Sequence, residues 1–144
     1  LSKTVVEFLF KHGIPDGVKS SIRMPRWVRK EDAFTRAFLR GYFDTDGSFH
    51  LRLGKYPIIS TGNRSEPLVA DIAEALHGLG LSFARYYEER KLDKRTGKVY
   101  TSYRIFLYGD RNLDVWLERI GFSNERHVAK IRNYKKKKYG SAGI

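Results

Sequence analysis

The chain has 144 residues, is 41% hydrophobic, and carries 28 Lys and Arg against 16 Asp and Glu, for a formal net charge of +12; this excludes general disorder, allows one domain with a core, and points to a polyanion partner, nucleic acid above all, with a merely basic surface as the plainer alternative. The absence of cysteine excludes disulfides, thiolate zinc sites and thiol catalysis, and suits a reducing or hot intracellular setting, cytoplasmic and nucleoid-associated. No apolar run reaches membrane-spanning length, so no membrane partner is expected; no signal peptide is visible, and the first residue is Leu, as in a fragment.

In chain order, residues 3–12 have helical spacing, with Val5, Phe8 and Leu9 on one face, and Gly13 and Pro15 stop them. The Pro, Gly and Ser content of 15–28 reads as a loop. Glu31 and Asp32 open a helix over about 31–44 that the run Asp44-Thr45-Asp46-Gly47 ends. In 48–54, Phe49, Leu51 and Leu53 alternate with His50 and Arg52, a strand with one polar, partly basic face, and 58–61 is its hairpin partner. Residues 65–80 form a helix, with Ser65 as N-cap, Pro67 in the first turn, and Leu68, Ile72, Ala75, Leu76 and Leu79 as its buried stripe. The aromatic and β-branched segments 83–91 and 98–108 make a second, longer hairpin. Helices follow over 111–120, with Leu113, Trp116, Leu117 and Ile120 at helical spacing, and over 124–138; the tail beyond frays. The expected organisation is an N-terminal helix and linker over 1–30 and one α+β domain over 31–140. That domain has the order α-ββ-α-ββ-α, with a four-stranded antiparallel sheet and helices on one face.

The acids at the end of the 31–44 helix need a reason. Ala37 and Gly41 share one helical face and Thr45 extends it, beside the apolar stripe Phe34, Phe38 and Tyr42. A glycine inside a helix costs about 1 kcal/mol relative to alanine, which a close helix–helix crossing would justify. Asp44 and Asp46 sit where the helix dipole is already negative, and a divalent cation would reverse that environment. Magnesium keeps several waters and needs few protein ligands, so one carboxylate from each of two packed helices would suit it, and metal ions assist phosphodiester hydrolysis. By spacing alone, an ordinary Asp-Thr-Asp-Gly turn into a strand is the plainer account.

The stretch FLRGYFDTDGSF (38–49) resembles the LAGLIDADG motif of homing endonucleases. Leu39, Gly41, Asp44, Asp46 and Gly47 stand at its signature positions, and Tyr42, Phe43 and Thr45 are acceptable variants. The downstream order resembles one half-domain of that family: SEPLVADIAEALHGLGL is similar to its second helix and WLERIGFSNERHVAKI to its C-terminal helices, while residues 1–28 look like the last helix and linker of a preceding half in archaeal or intein-associated members. The resemblance implies a magnesium-dependent, site-specific endonuclease acting on double-stranded DNA, with two such helices packed about a two-fold axis. Because the chain holds one motif, the second helix would come from a homodimer partner or another half-domain.

In that arrangement Ala37, Phe38, Gly41 and Asp44 would form the interface, and Asp46 with Thr45 would meet the metal. Thr61 or Asn63 takes the polar place at the end of the second strand, and Arg126 and His127 stand where many members carry a lysine, with Lys130 one turn later; Asp46, Thr61, Arg126, His127 and Lys130 form the expected catalytic set. The sheet would lie in the major groove, with His50, Arg52 and Lys55 from the first hairpin. From the second come Arg85, Tyr87, Arg90, Lys91, Lys94, Arg95, Lys98 and Arg104. Arg132, Lys135 and Lys136 would add phosphate contacts from the last helix. The departure at the lysine position keeps open a non-cutting DNA- or RNA-binding protein, such as a regulator, maturase or relic.

Overall fold

The computed structural model describes residues 22–140; the helix expected over 3–12 and the last residues of the tail lie outside these. The elements are α1 (Arg26–Arg29), α2 (Asp32–Asp46), β1 (Gly47–Arg52), β2 (Tyr56–Asn63), α3 (Glu66–Gly78), β3 (Tyr86–Leu92), β4 (Val99–Tyr108), α4 (Gly109–Arg119) and α5 (Glu125–Tyr139). Both hairpins join one antiparallel sheet in the order β1-β2-β4-β3, so the α+β class and the two-hairpin sheet are as expected. Among the described residues, no helix is long and apolar enough to cross a membrane.

Strand alternation decides which face takes the core. Phe49, Ile59, Ile105 and Leu107 turn to the helices and are at most 1% exposed. Leu39 and Phe43 from α2, Leu68, Ile72 and Leu76 from α3, and Trp116 from α4 meet them, also at most 1% exposed. Each such side chain contributes about 1.5–3 kcal/mol through burial. The rings of Phe43 and Trp116 lie 4.5 Å apart at the centre. α3 starts where the Ser65 hydroxyl accepts the Leu68 amide at 3.3 Å, with proline in the first turn. α5 lies along β1, where the Tyr134 and Phe49 rings are 6.2 Å apart.

α2 ends at Asp46, inside the Asp44-Thr45-Asp46-Gly47 run expected to close it. Elsewhere the structure departs from the sequence reading. Leu53, read as an apolar strand residue, lies beyond β1 and is 79% exposed. A helical turn, α1, stands inside the stretch read as loop, and Met24 and Val28 there are 3% and 1% exposed in the common core. Leu117 is 37% exposed, so the α4 stripe is Leu113, Trp116 and Ile120. Phe34 is 45% exposed, whereas Phe38 (8%) and Tyr42 (1%) are buried and stack on each other. The segment before α2 is tied down by Asp71, 2% exposed. Its carboxylate accepts Arg23 Nη2 at 2.9 Å, Arg23 Nε at 3.2 Å and the Met24 amide at 3.3 Å.

Candidate active site and nucleic-acid interface

α2 passes into β1 without a loop. The Gly47 amide still bonds to the Phe43 carbonyl, and a Cβ on Gly47 would lie 2.7 Å from that oxygen, so glycine lets the chain turn from helix to strand here. Asp46 is half-buried at this corner, and its main-chain carbonyl accepts the Thr61 hydroxyl at 3.0 Å. Tyr42, one turn back, donates its phenol to the Gly62 carbonyl at 3.1 Å and accepts Asn63 Nδ2 at 3.2 Å. Burial pushes that phenol up to about 12, the Asn63 bond pulls against this, and the Asp46 charge adds to the rise. The end of α2, the start of β1 and the end of β2 are thus knotted around Asp46.

The two motif acids play different parts. Asp44 Oδ1 accepts the amides of Ser123 at 2.8 Å and Asn124 at 2.9 Å, and Asn124 Nδ2 donates back to the Asp44 carbonyl at 2.8 Å. Asn124 is also the N-cap of α5, accepting the Arg126 amide at 2.9 Å. The Asp44 carboxylate therefore faces its own chain and joins α2 to α5. The Thr45 hydroxyl turns back on the helix, toward the Gly41 carbonyl at 3.3 Å and the Tyr42 carbonyl at 3.1 Å. Among the described residues one face of α2 is bare: Ala33, Ala37 and Thr45 are exposed, and none of those residues lies within 4 Å of where a Gly41 Cβ would be. Phe38 does not belong to that face; its ring is on the core side of the helix, which corrects its place among the interface residues.

The remaining catalytic candidates divide. Thr61 is 1% exposed and spends its hydroxyl proton on the Asp46 backbone. The Asp44 contacts bring the first turn of α5, with Arg126 and His127, to the end of α2. Arg126 is exposed, while His127 is 3% exposed, lies 4.6 Å from the Phe122 ring and has no hydrogen-bond partner at Nδ1 among the described residues. Burial and the Lys130 charge push the imidazole below its ordinary value, against the pull of Asp44. Lys130 turns away to a groove between α5 and β1, with Phe49, His50, Tyr134 and Lys137.

The register settles which strand side chains point away from the helices. His50 pairs with Ile58 and Ile58 with Tyr108, Gly62 pairs with Arg104 and Arg104 with Tyr87, and Lys91 pairs with Tyr100, all with the parity of the outer face. Arg52, Arg85 and Tyr87 are on this face and exposed, and Arg85 Nε bonds to the Tyr87 hydroxyl at 3.0 Å. Arg90 is corrected: it has the parity of Tyr86 and Glu88 on the helix side and pairs with Glu88 at 3.4 Å. Lys55, Lys94, Arg95 and Lys98 are exposed in the hairpin turns. Cations and rings alternate across the face, with Lys55 over Tyr56 at 5.5 Å, Arg64 over Tyr100 at 5.0 Å, Arg85 over Tyr87 at 5.9 Å and Arg104 over Phe106 at 5.7 Å. Arg64, Tyr56, Tyr100 and Tyr108 escaped the sequence reading; reading the strand parity through aromatics as well as charges would have found the tyrosines. On α5, Arg132 and Lys136 are exposed, but Lys135 is turned inward onto Asp114 at 2.8 Å, and Lys138 bonds Asp110.

The family model described as a LAGLIDADG-like domain matches residues 33–121, from α2 to just past α4. The chain is 36% identical over 130 residues to the replication factor C small subunit of Methanocaldococcus jannaschii, covering 90% of this chain and 6% of that protein. It is 29% identical over 126 residues to the tRNA-splicing ligase RtcB of Pyrococcus abyssi, covering 84% of the chain and 14% of the ligase. It is also 33% identical over 113 residues to the probable translation initiation factor IF-2 of M. jannaschii, 71% of the chain and 9% of the factor. The chain spans only a small part of each relative.

Proposed function

The chain belongs to the family of LAGLIDADG-like domains, and from that membership we propose a site-specific, magnesium-dependent DNA endonuclease of the homing type, assembled from two such domains. The bare Ala37–Gly41 face of α2, leading to Asp46, carries the reading. Two copies crossing on that face bring two Asp46 carboxylates together, with a two-fold symmetry that a near-palindromic duplex would match. A cation there would be held by one carboxylate from each copy, water and phosphate. Magnesium bound there supplies charge stabilisation at the scissile phosphate and a more acidic water. Thr61, Tyr42 and Asn63 hold the Asp46 corner in place, and the outer face of the sheet binds the duplex. Similar segments within a replication factor, a tRNA-splicing ligase and a translation factor fit a module inserted into host genes.

The test is incubation with a duplex library in magnesium. Double-strand breaks at one site that Asp46→Asn abolishes are expected; cutting untouched by that substitution refutes the mechanism. The second reading, a binder that does not cut, draws on the buried His127 and on Arg126 at the lysine position. Tight, salt-sensitive duplex binding without breaks in any divalent metal would select it.

A further inference from the structure

Gly62 is a glycine without a backbone reason. It lies inside β2, where glycine weakens a strand, and its φ is not positive, so other residues could adopt its conformation. What the position lacks is room above it. A Cβ there would stand 2.5 Å from Cδ of Arg104, 2.8 Å from Nη1 and 3.1 Å from Nε. Arg104 is the direct partner of Gly62 on β4, so its side chain is laid across β2 on the outer face instead of rising from the sheet. Phe106 flanks the guanidinium at 5.7 Å, and Arg104 is half-buried where Arg52 and Arg85 are exposed. Below the sheet, the Gly62 carbonyl is pinned by the Tyr42 phenol at 3.1 Å. Beside the seat, the small side chains of Ser48 and Ser60 bond to each other at 2.9 Å, and Ser60 is 1% exposed.

We propose that Gly62 is the seat that fixes Arg104 as a reader of a guanine edge in duplex DNA. This rests on the nucleic-acid reading above and names one of its recognition contacts, with Gly62 as a positioning residue. A guanidinium offers two parallel N–H donors that match O6 and N7 of guanine. Held in mid-sheet, it meets the floor of a groove, whereas the exposed cations of the hairpin turns meet the phosphates along its sides. Seated before binding, it loses less side-chain freedom on contact.

The test selects duplexes from a randomised pool with the wild type, Gly62→Ala, Arg104→Ala and the double variant, and follows thermal unfolding of all four without DNA. The wild type is expected to enrich a guanine at one position by about tenfold. All three variants lose that preference equally while still binding duplex. In unfolding, Gly62→Ala lowers the melting temperature when Arg104 is present and raises it in the Arg104→Ala background, where alanine only improves the strand. Should Gly62→Ala alone fail to fold, recovery in the double variant shows the same coupling. A guanine preference kept by Gly62→Ala, a wild type with no such position, or an identical melting shift in both backgrounds overturns the proposal. Cleavage is not the readout, so guanine selection without cutting would refute the endonuclease reading and leave the seat standing.

Discussion

Tyr42 is the most constrained single side chain at the motif. Its hydroxyl serves two backbone-proximal partners on β2, Gly62 and Asn63. Tyr42→Phe strips both and is expected to cost about 1–2 kcal/mol in chemical unfolding. The phenol is raised from its ordinary 10.0 to about 12, so between those values the folded state holds a proton that the unfolded state releases, and stability falls as pH rises through that window. The loss should be shallower in Tyr42→Phe when melts are compared across that range. His127 works in the opposite direction. Its imidazole is lowered below 6.5, so as pH drops past that value the unfolded chain takes up the proton first and stability declines. The melting temperature of the wild type should fall on acidification, and less so in His127→Phe. The sequence showed Tyr42 only as a tolerated letter of the motif. Its partners come from β2, 20 and 21 residues away, and one-dimensional spacing does not display such bonds.

At the level of the elements, Asp44 is the rivet between α2 and α5. Asp44→Ala leaves the Ser123 and Asn124 amides without their charged acceptor and is expected to cost about 2 kcal/mol, with faster hydrogen exchange in the first turn of α5. Gly41→Ala separates fold from assembly. With nothing within 4 Å of the added methyl, the isolated domain should gain up to about 1 kcal/mol from helix propensity. Dimerisation by light scattering should weaken in the same variant if the face closes on a second helix; a dimer as tight as the wild type would show that α2 pairs elsewhere. The helices and both hairpins were legible because their apolar periods are regular and their turns are punctuated by Gly, Pro and Asp. So was the end of α2, which falls in the Asp44–Gly47 run. What spacing does not display is that amides 79 and 80 residues onward take up the charge of Asp44. α1 was missed for a simpler reason: four residues are too few to show a period. Phe38 was placed on the wrong side because it neighbours the small stripe by sequence while packing on Tyr42.

For the whole molecule, the excess of twelve positive charges is unevenly available. Lys135 and Lys138 are spent on Asp114 and Asp110, whereas Arg132 and Lys136 project freely to solvent. Replacing Lys136 by Gln should lower the slope of log affinity against log salt for duplex DNA by about one, and replacing Lys135 should change it less. The overall class was readable from composition and element order, while this division of the charge needed the packing of α5 on α4. The strand order has a consequence of another kind. β1 and β3 are the two edges of the sheet; α5 packs beside β1, and among the described residues β3 has no further strand against it, the kind of edge that templates fibril growth. Glu88, Glu89, Arg90 and Lys91 stand along that border, and four consecutive full charges make it a poor surface for a neighbouring strand to zip onto. Charge thereby discourages association at the open rim, in contrast to the small, uncharged side chains of Ala33, Ala37 and Thr45 exposed on α2.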